Sequence, residues 1–152
     1  MAAEALDPEA AAARRRKVHG RWQGGYRVEL TVRDGRFTLT SDEGPEEGGT
    51  DTGPMPSELL FSSLASCFAM AITWVANRRH QVLPDLEVIV TWGYDLSQRW
   101  YDHVQIEAMS SMATTAPEEF ELLVQRATDV CWVSRTMKQG VPIAVRASTL
   151  QR

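Results

Sequence analysis

The longest patterned feature of the chain is a stretch without charge. From Leu59 to Ala76 no residue is ionisable except Cys67, and apolar side chains fall at every phase of a helical repeat. That distribution predicts a helix buried on most sides, not an amphipathic surface helix. Its entry is Gly53-Pro54-Met55-Pro56. Each proline fixes its own φ and biases the residue before it away from helix. Ser57 is then the expected N-cap, with Glu58 favoured in the first turn by the helix dipole.

On either side the period changes from helical to two. Val18 to Trp22 reads as a short strand closed by Gln23-Gly24-Gly25, and Tyr26 to Val32 alternates apolar and polar positions. Asp34-Gly35 is a hairpin signal, with Arg36 to Thr40 returning. Beyond the helix, Leu86 to Tyr94 places Val88, Val90 and Trp92 on one face. Leu96 to Trp100 turns the chain, and Tyr101 to Met112 gives another strand with Val104, Ile106 and Ala108 aligned.

A second helix is expected from Thr115, which has capping-box spacing to Glu118. Phe120, Leu123, Val124, Ala127 and Val130 form its buried stripe, and Cys131 continues from that stripe into the same core. Ser134 to Lys138 predicts a further turn closed by Gly140, and Val141 to Val145 a last strand. Helices among hairpins make an α+β domain. Residues 1–17 read as an N-terminal arm, either helical from a start at Asp7-Pro8-Glu9 or disordered, and residues 18–152 as the domain.

Composition narrows the picture. The chain has 152 residues and 43% hydrophobic content, enough for one packed domain. A net charge of −4 speaks against nucleic acid as partner. The glycine-rich acidic loop 41–55 has no calcium-loop spacing and reads as a solvated connection, so no metal is expected there. Leu59 to Asn77 has the length of a bilayer span, but Ser62, Ser63, Ser66 and Thr73 interrupt it and the flanking strands need a core to cover, so no membrane is expected. No signal peptide is visible, and two cysteines fit a reducing, cytoplasmic compartment.

Candidate chemistry is sparse. His19, His80 and His103 have no metal-ligand spacing, and no nucleophile elbow or phosphate-binding glycine loop is present. What remains is the pair Cys67 and Cys131, each set in or beside a buried helix. A lone buried cysteine is a small hydrophobe, a reading that suffices for Cys67 alone and weakens once Cys131 is read beside it; two inert core thiols remain the structural alternative.

The sequence resembles the OsmC/Ohr family of peroxidases and their relatives. The resemblance rests on Gly53-Pro-Met-Pro-Ser-Glu-Leu-Leu, on Ala65-Ser66-Cys67 and on Cys131-Trp132-Val133-Ser134, with the strand order around them. It implies an OsmC-like domain of antiparallel sheets around two central helices, built as an intertwined homodimer. It also implies thiol-dependent reduction of organic hydroperoxides. Cys67 matches the cysteine that attacks the peroxide and becomes a sulfenic acid. Cys131 matches the one that condenses with it to a disulfide, which an external dithiol reduces.

A buried thiol ionises reluctantly, so such an enzyme needs a cation near it. The resemblance implies an arginine from the first strands. Arg27 is the best match, with Arg21 and Arg36 as the other candidates. A glutamate orients that arginine in the peroxidases. Here Ser57 stands at its position and Glu58 follows. Trp132 stands where the family commonly has proline. Phe61, Phe68 and Trp132, with Met70 and Trp74, are candidates for an apolar substrate pocket. No cofactor is implied. The alternative within the family is a non-catalytic redox sensor or a binder of small hydrophobic molecules.

Overall fold

The computed structural model describes residues 16–147. The expected helix start at Asp7-Pro8-Glu9 and nearly all of the N-terminal arm lie outside them. The elements run β1 (Val18–Trp22), β2 (Val28–Val32), β3 (Phe37–Ser41), a 3-10 turn (Pro45–Glu47), α1 (Pro56–Arg78), β4 (Glu87–Asp95), β5 (Trp100–Met109), α2 (Met112–Thr115), α3 (Pro117–Val130) and α4 (Trp132–Gln139). The class is α+β with antiparallel sheets, as expected. The chain forms two compact units, one ending at Leu59 and one beginning at Leu60.

The first unit is the sheet β1-β2-β3, with Val18 opposite Val32 and Val32 opposite Phe37. β2 starts two residues later than the alternation suggests. Gly24 and Gly25 take φ of 101° and 56°. The turn they make holds Arg27, whose N–H donates to Gly24 C=O at 3.1 Å. Asp34-Gly35 does sit at a hairpin tip. The loop has four residues, though, and Arg33, Asp34 and Gly35 are all left-handed, at φ 53°, 55° and 92°.

The acidic loop is not a merely solvated connection. Asp42 is 1% exposed, and its carboxylate gathers the loop. One oxygen accepts the Glu43 N–H at 2.9 Å. The other accepts the Thr50 N–H at 3.1 Å and hydroxyl at 2.5 Å, and the Thr52 N–H at 3.3 Å and hydroxyl at 2.8 Å. Sequence reading counted the carboxylates together, and hydrogen bonding singles one out. The Thr50 hydroxyl foremost holds Asp42 far below the usual carboxylate range, outweighing the opposing effect of desolvation. Close backbone approaches need two of the glycines. A Cβ on Gly49 would lie 1.9 Å from Glu43 O, and one on Gly53 would lie 2.2 Å from Thr40 O.

α1 begins at Pro56, with proline at the first helical position. Ser57 is therefore inside the helix and is not its N-cap. The orphan N–H of Met55 is satisfied by Glu58, whose Oε2 accepts it at 2.8 Å. This is the back-reaching half of a capping box.

In the second unit β4 and β5 pair antiparallel, with a register shift between Thr91 and Gly93. Phe61, Leu64, Phe68, Ile72 and Val75 of α1 form one buried stripe. They join Phe120, Leu123 and Ala127 of α3 in a core that Val88, Val90, Trp92, Ile106 and Ala108 of the hairpin pack against. Phe61 stacks on Trp92 at 4.5 Å and meets Tyr101 edge-on at 5.4 Å. By length and composition α1 passes for a membrane span, yet this stripe is the core of the unit. Its burial is one-sided. Leu60, Met70 and Trp74 are exposed, against the expectation of burial on most sides, because the apolar partners in this chain cover one face only.

Three further expectations are corrected. β5 stops at Met109, and Met112 instead opens the short α2. The cause is Asp85, whose Oδ1 accepts the Ser111 N–H at 2.7 Å and the Ser110 hydroxyl at 2.9 Å and turns the chain. Thr115 does not cap α3. It ends α2, and its hydroxyl donates back to Ser111 C=O at 3.4 Å, while Ala116 precedes α3 without a side-chain cap. Val141 to Val145 is not a strand among the described residues, since a strand needs a ladder partner and none pairs with it.

Candidate thiol site

Cys67 lies midway along α1, half-buried and packed against the core. Cys131 is the residue between α3 and α4. Its backbone is extended, at φ −69° and ψ 105°, and it serves both helices. Its N–H donates to Ala127 C=O at 2.9 Å and closes α3, and its C=O accepts the Arg135 N–H at 3.1 Å and opens α4. The stripe of α3 carries it inward, as its sequence position predicts, and it is 0% exposed.

The two thiols are neighbours, and both are free. Burial pushes the Cys131 thiol up from its ordinary pKa, and the adjoining Cys67 adds to that rise. Ser134 opposes it. Its backbone N–H and its hydroxyl both favour the Cys131 thiolate. Ser134 is itself buried. It is the third residue of α4, where an N–H has no partner within the helix. No formed side-chain cap bond is present, so the effect is that of dipoles directed at the sulfur. Two adjacent thiols of unequal exposure, the buried one facing a helix N-terminus, can accept oxidation at the exposed member and close a disulfide to the other.

The remaining candidates are placed as follows. Arg27, Arg21 and Arg36 are exposed in the first unit, and the Arg36 guanidinium lies 5.4 Å from the centroid of the Phe37 ring. Glu58 is occupied with the Met55 N–H. Phe61 and Phe68 are inside the core. Trp132 is 83% exposed. Met70 and Trp74 lie on the open face of α1. Ser134 is the residue that the sequence reading passed over. Its signal was the spacing, because Cys131 to Ser134 is the distance from an N-cap to the third helical position.

Among solved structures, the fold matches an organic hydroperoxide resistance protein OsmC from Legionella pneumophila, 25% identical, with TM-score 0.66 over 80% of this chain and 89% of that one. It matches the organic hydroperoxide resistance protein OhrB of Bacillus subtilis, 23% identical, with TM-score 0.61 over 82% and 90%. An OsmC-like protein of unknown function from Vibrio cholerae, 10% identical, superposes with TM-score 0.62 over 80% and 92%. No curated protein matches the sequence. The sequence profile described as OsmC-like protein matches residues 49–146, a span that begins in the Asp42-organised loop and takes in both thiols, and the chain belongs to that family.

Proposed function

We propose that the protein is a thiol-dependent reductase of organic hydroperoxides, working in the cytoplasm as a homodimer. The observation that carries this is the adjacency of Cys67 and Cys131 in one core. The Cys67 thiolate attacks the distal peroxide oxygen and the O–O bond breaks. The alkoxide takes a proton and leaves as the alcohol, and Cys67 is left as sulfenic acid. The Cys131 thiolate attacks that sulfur, hydroxide leaves and is protonated to water, and a disulfide forms. An external dithiol restores both thiols by exchange.

The greater exposure of Cys67 supports its meeting the peroxide first. The helix N-terminus and Ser134 support Cys131 as the second nucleophile. Arg27 is the proposed cation and Glu58 its proposed partner, with Phe61, Phe68 and Trp132 as apolar contacts for the peroxide. The chemistry asks for no metal or organic cofactor. The exposed Leu60, Met70 and Trp74 of α1 support a second copy as their cover.

One observation favours the non-catalytic reading. Glu58 is engaged at Met55, and Ser57 stands where the resemblance places the orienting glutamate. A redox sensor with the same thiol pair would form the disulfide and turn over slowly.

The test is intact mass and free-thiol count after reduced protein meets one equivalent of an alkyl hydroperoxide. Loss of both thiols and two hydrogens, followed by turnover with a dithiol, is the expected result. Disulfide formation without turnover selects the sensor. Survival of both thiols in the folded protein removes the redox reading altogether.

A further inference from the structure

The two sulfurs of the thiol pair differ in what surrounds them. Cys67 lies on the border between the two faces of α1. Leu64 and Ala71, one turn to either side of it, are buried. Ser63 and Met70, also one turn to either side, are exposed. One flank of Cys67 therefore adjoins the core and Cys131, and the other opens outward. Cys131 has no open flank. It is 0% exposed, and its own backbone closes α3 and opens α4.

That difference bears on how a disulfide between them is reopened. A thiolate attacks in line with the S–S bond, and the sulfur on the far side leaves. Attack on Cys67 comes from the open border of α1 and sends Cys131 inward. Attack on Cys131 needs a nucleophile inside the core, behind a residue that joins two helices. Leaving-group ability favours the opposite choice, because burial raises the Cys131 pKa and a more acidic thiol leaves faster. Access outweighs it. An attacking thiolate would have to shed its water to enter the core, whereas a departing Cys131 thiolate is met by Ser134 and the start of α4.

We infer that the reductant bonds to Cys67 and expels Cys131 toward Ser134. This rests on the redox reading of the thiol pair given above. The reductant's thiolate forms a mixed disulfide with Cys67 as the Cys67–Cys131 bond breaks, and the Cys131 thiolate takes up the proton that the reductant gave to solvent. A second reductant thiol attacks the reductant's own sulfur and frees Cys67. The reductant ends as its disulfide and the protein regains two thiols. The approach is the one the peroxide takes, so a second copy on the open face of α1 leaves Cys67 reachable for both steps or for neither.

The test starts from full-length protein oxidised with diamide, which makes the disulfide without any peroxide. A brief pulse of 2-mercaptoethanol is stopped with acid, and free thiols are alkylated. Tryptic cleavage at Arg78 and Arg126 puts the two cysteines on separate peptides, and mass spectrometry locates the adduct. About tenfold more adduct on Cys67 than on Cys131 is expected. Ser134→Ala should open severalfold more slowly, with the adduct still on Cys67 and with alkylation of Cys67 in the reduced protein unchanged. Adduct mainly on Cys131, or equally on both, overturns the inference and leaves the peroxidase reading standing. An unchanged opening rate in Ser134→Ala overturns the part given to Ser134, as does an equal slowing of Cys67 alkylation. Protein that is inert to peroxide yet carries its adduct on Cys67 supports the inference and removes the peroxidase reading. Failure of diamide to form the disulfide overturns both.

Discussion

Ser134 is the third residue of α4, one helical turn beyond Cys131, and its N–H and hydroxyl both favour the thiolate of that residue. The pairing is asymmetric, because Ser134 is fixed in α4 while the thiol it serves is buried against Cys67 and resists ionisation. Replacing the hydroxyl removes one of the two dipoles and leaves the backbone intact. Ser134→Ala is expected to raise the Cys131 pKa further. The pH profile of disulfide closure moves to higher pH, with the fold retained at a cost of about 1 kcal/mol. Stopped-flow thiol loss against pH reads this directly, and an unchanged profile would remove Ser134 from the site.

Cys131 also couples stability to pH. Its folded pKa is raised, so the native state favours the neutral thiol. The contribution is fully present below the unfolded thiol value of about 8.5 and is lost as pH rises through the folded value. Urea midpoints of the reduced protein should therefore decline as pH rises from about 8.5 toward the folded value. In Cys131→Ala the decline should flatten.

Asp42 has the opposite sign. Its folded pKa lies below the ordinary carboxylate value, Thr50 being the main cause. Its contribution is present above the unfolded value of about 3.9 and is lost as pH falls. Thr50→Val removes the 2.5 Å hydroxyl contact. The variant should melt lower at pH 7 and lose less additional stability on acidification than the parent. Differential scanning calorimetry at pH 7 and at a series of pH values down to about 1 distinguishes that outcome from a uniform loss, because the parent's loss is complete only once pH has fallen through the folded value.

The loop glycines divide sharply. Gly53→Ala would set a Cβ 2.2 Å from the backbone oxygen of Thr40, which has no flexible side-chain end to yield, and should cost more than about 2 kcal/mol. Gly44→Ala meets nothing within 4 Å and has an ordinary φ of −67°, so it should be neutral. Chemical denaturation of the two variants side by side settles whether the contact or the loop's general flexibility matters.

Much of this architecture is legible in the sequence, and the misses share a cause. β1 coincides with the stretch Val18–Trp22, and the hairpin faces follow because alternation records burial directly. Cys131 was placed in the core by the phase of α3 alone. The ends of elements were harder. Thr115 has the right spacing to Glu118, but Asp85, more than two dozen residues upstream, decides where the chain turns. Ser57 has the right chemistry for a cap, but Pro56 starts the helix one residue sooner. Asp42 looked like one acid among several because local sequence does not tell which carboxylate will meet Thr50 and Thr52. Within the thiol site, the type and burial of both cysteines could be read, while their adjacency needed three dimensions.

Cys131 is a shared joint, the last acceptor-seeking N–H of one helix and the first C=O of the next. A bond from its sulfur to Cys67 would stitch that joint to the middle of α1 and close a long chain loop, restricting the unfolded ensemble by about 4 kcal/mol on the chain-entropy account. The oxidation state of one sulfur would then be written into how often two helices breathe. Amides on both sides of Cys131, from Ala127 to Arg135, would slow their exchange together on oxidation, a signature readable in protein that has no substrate present.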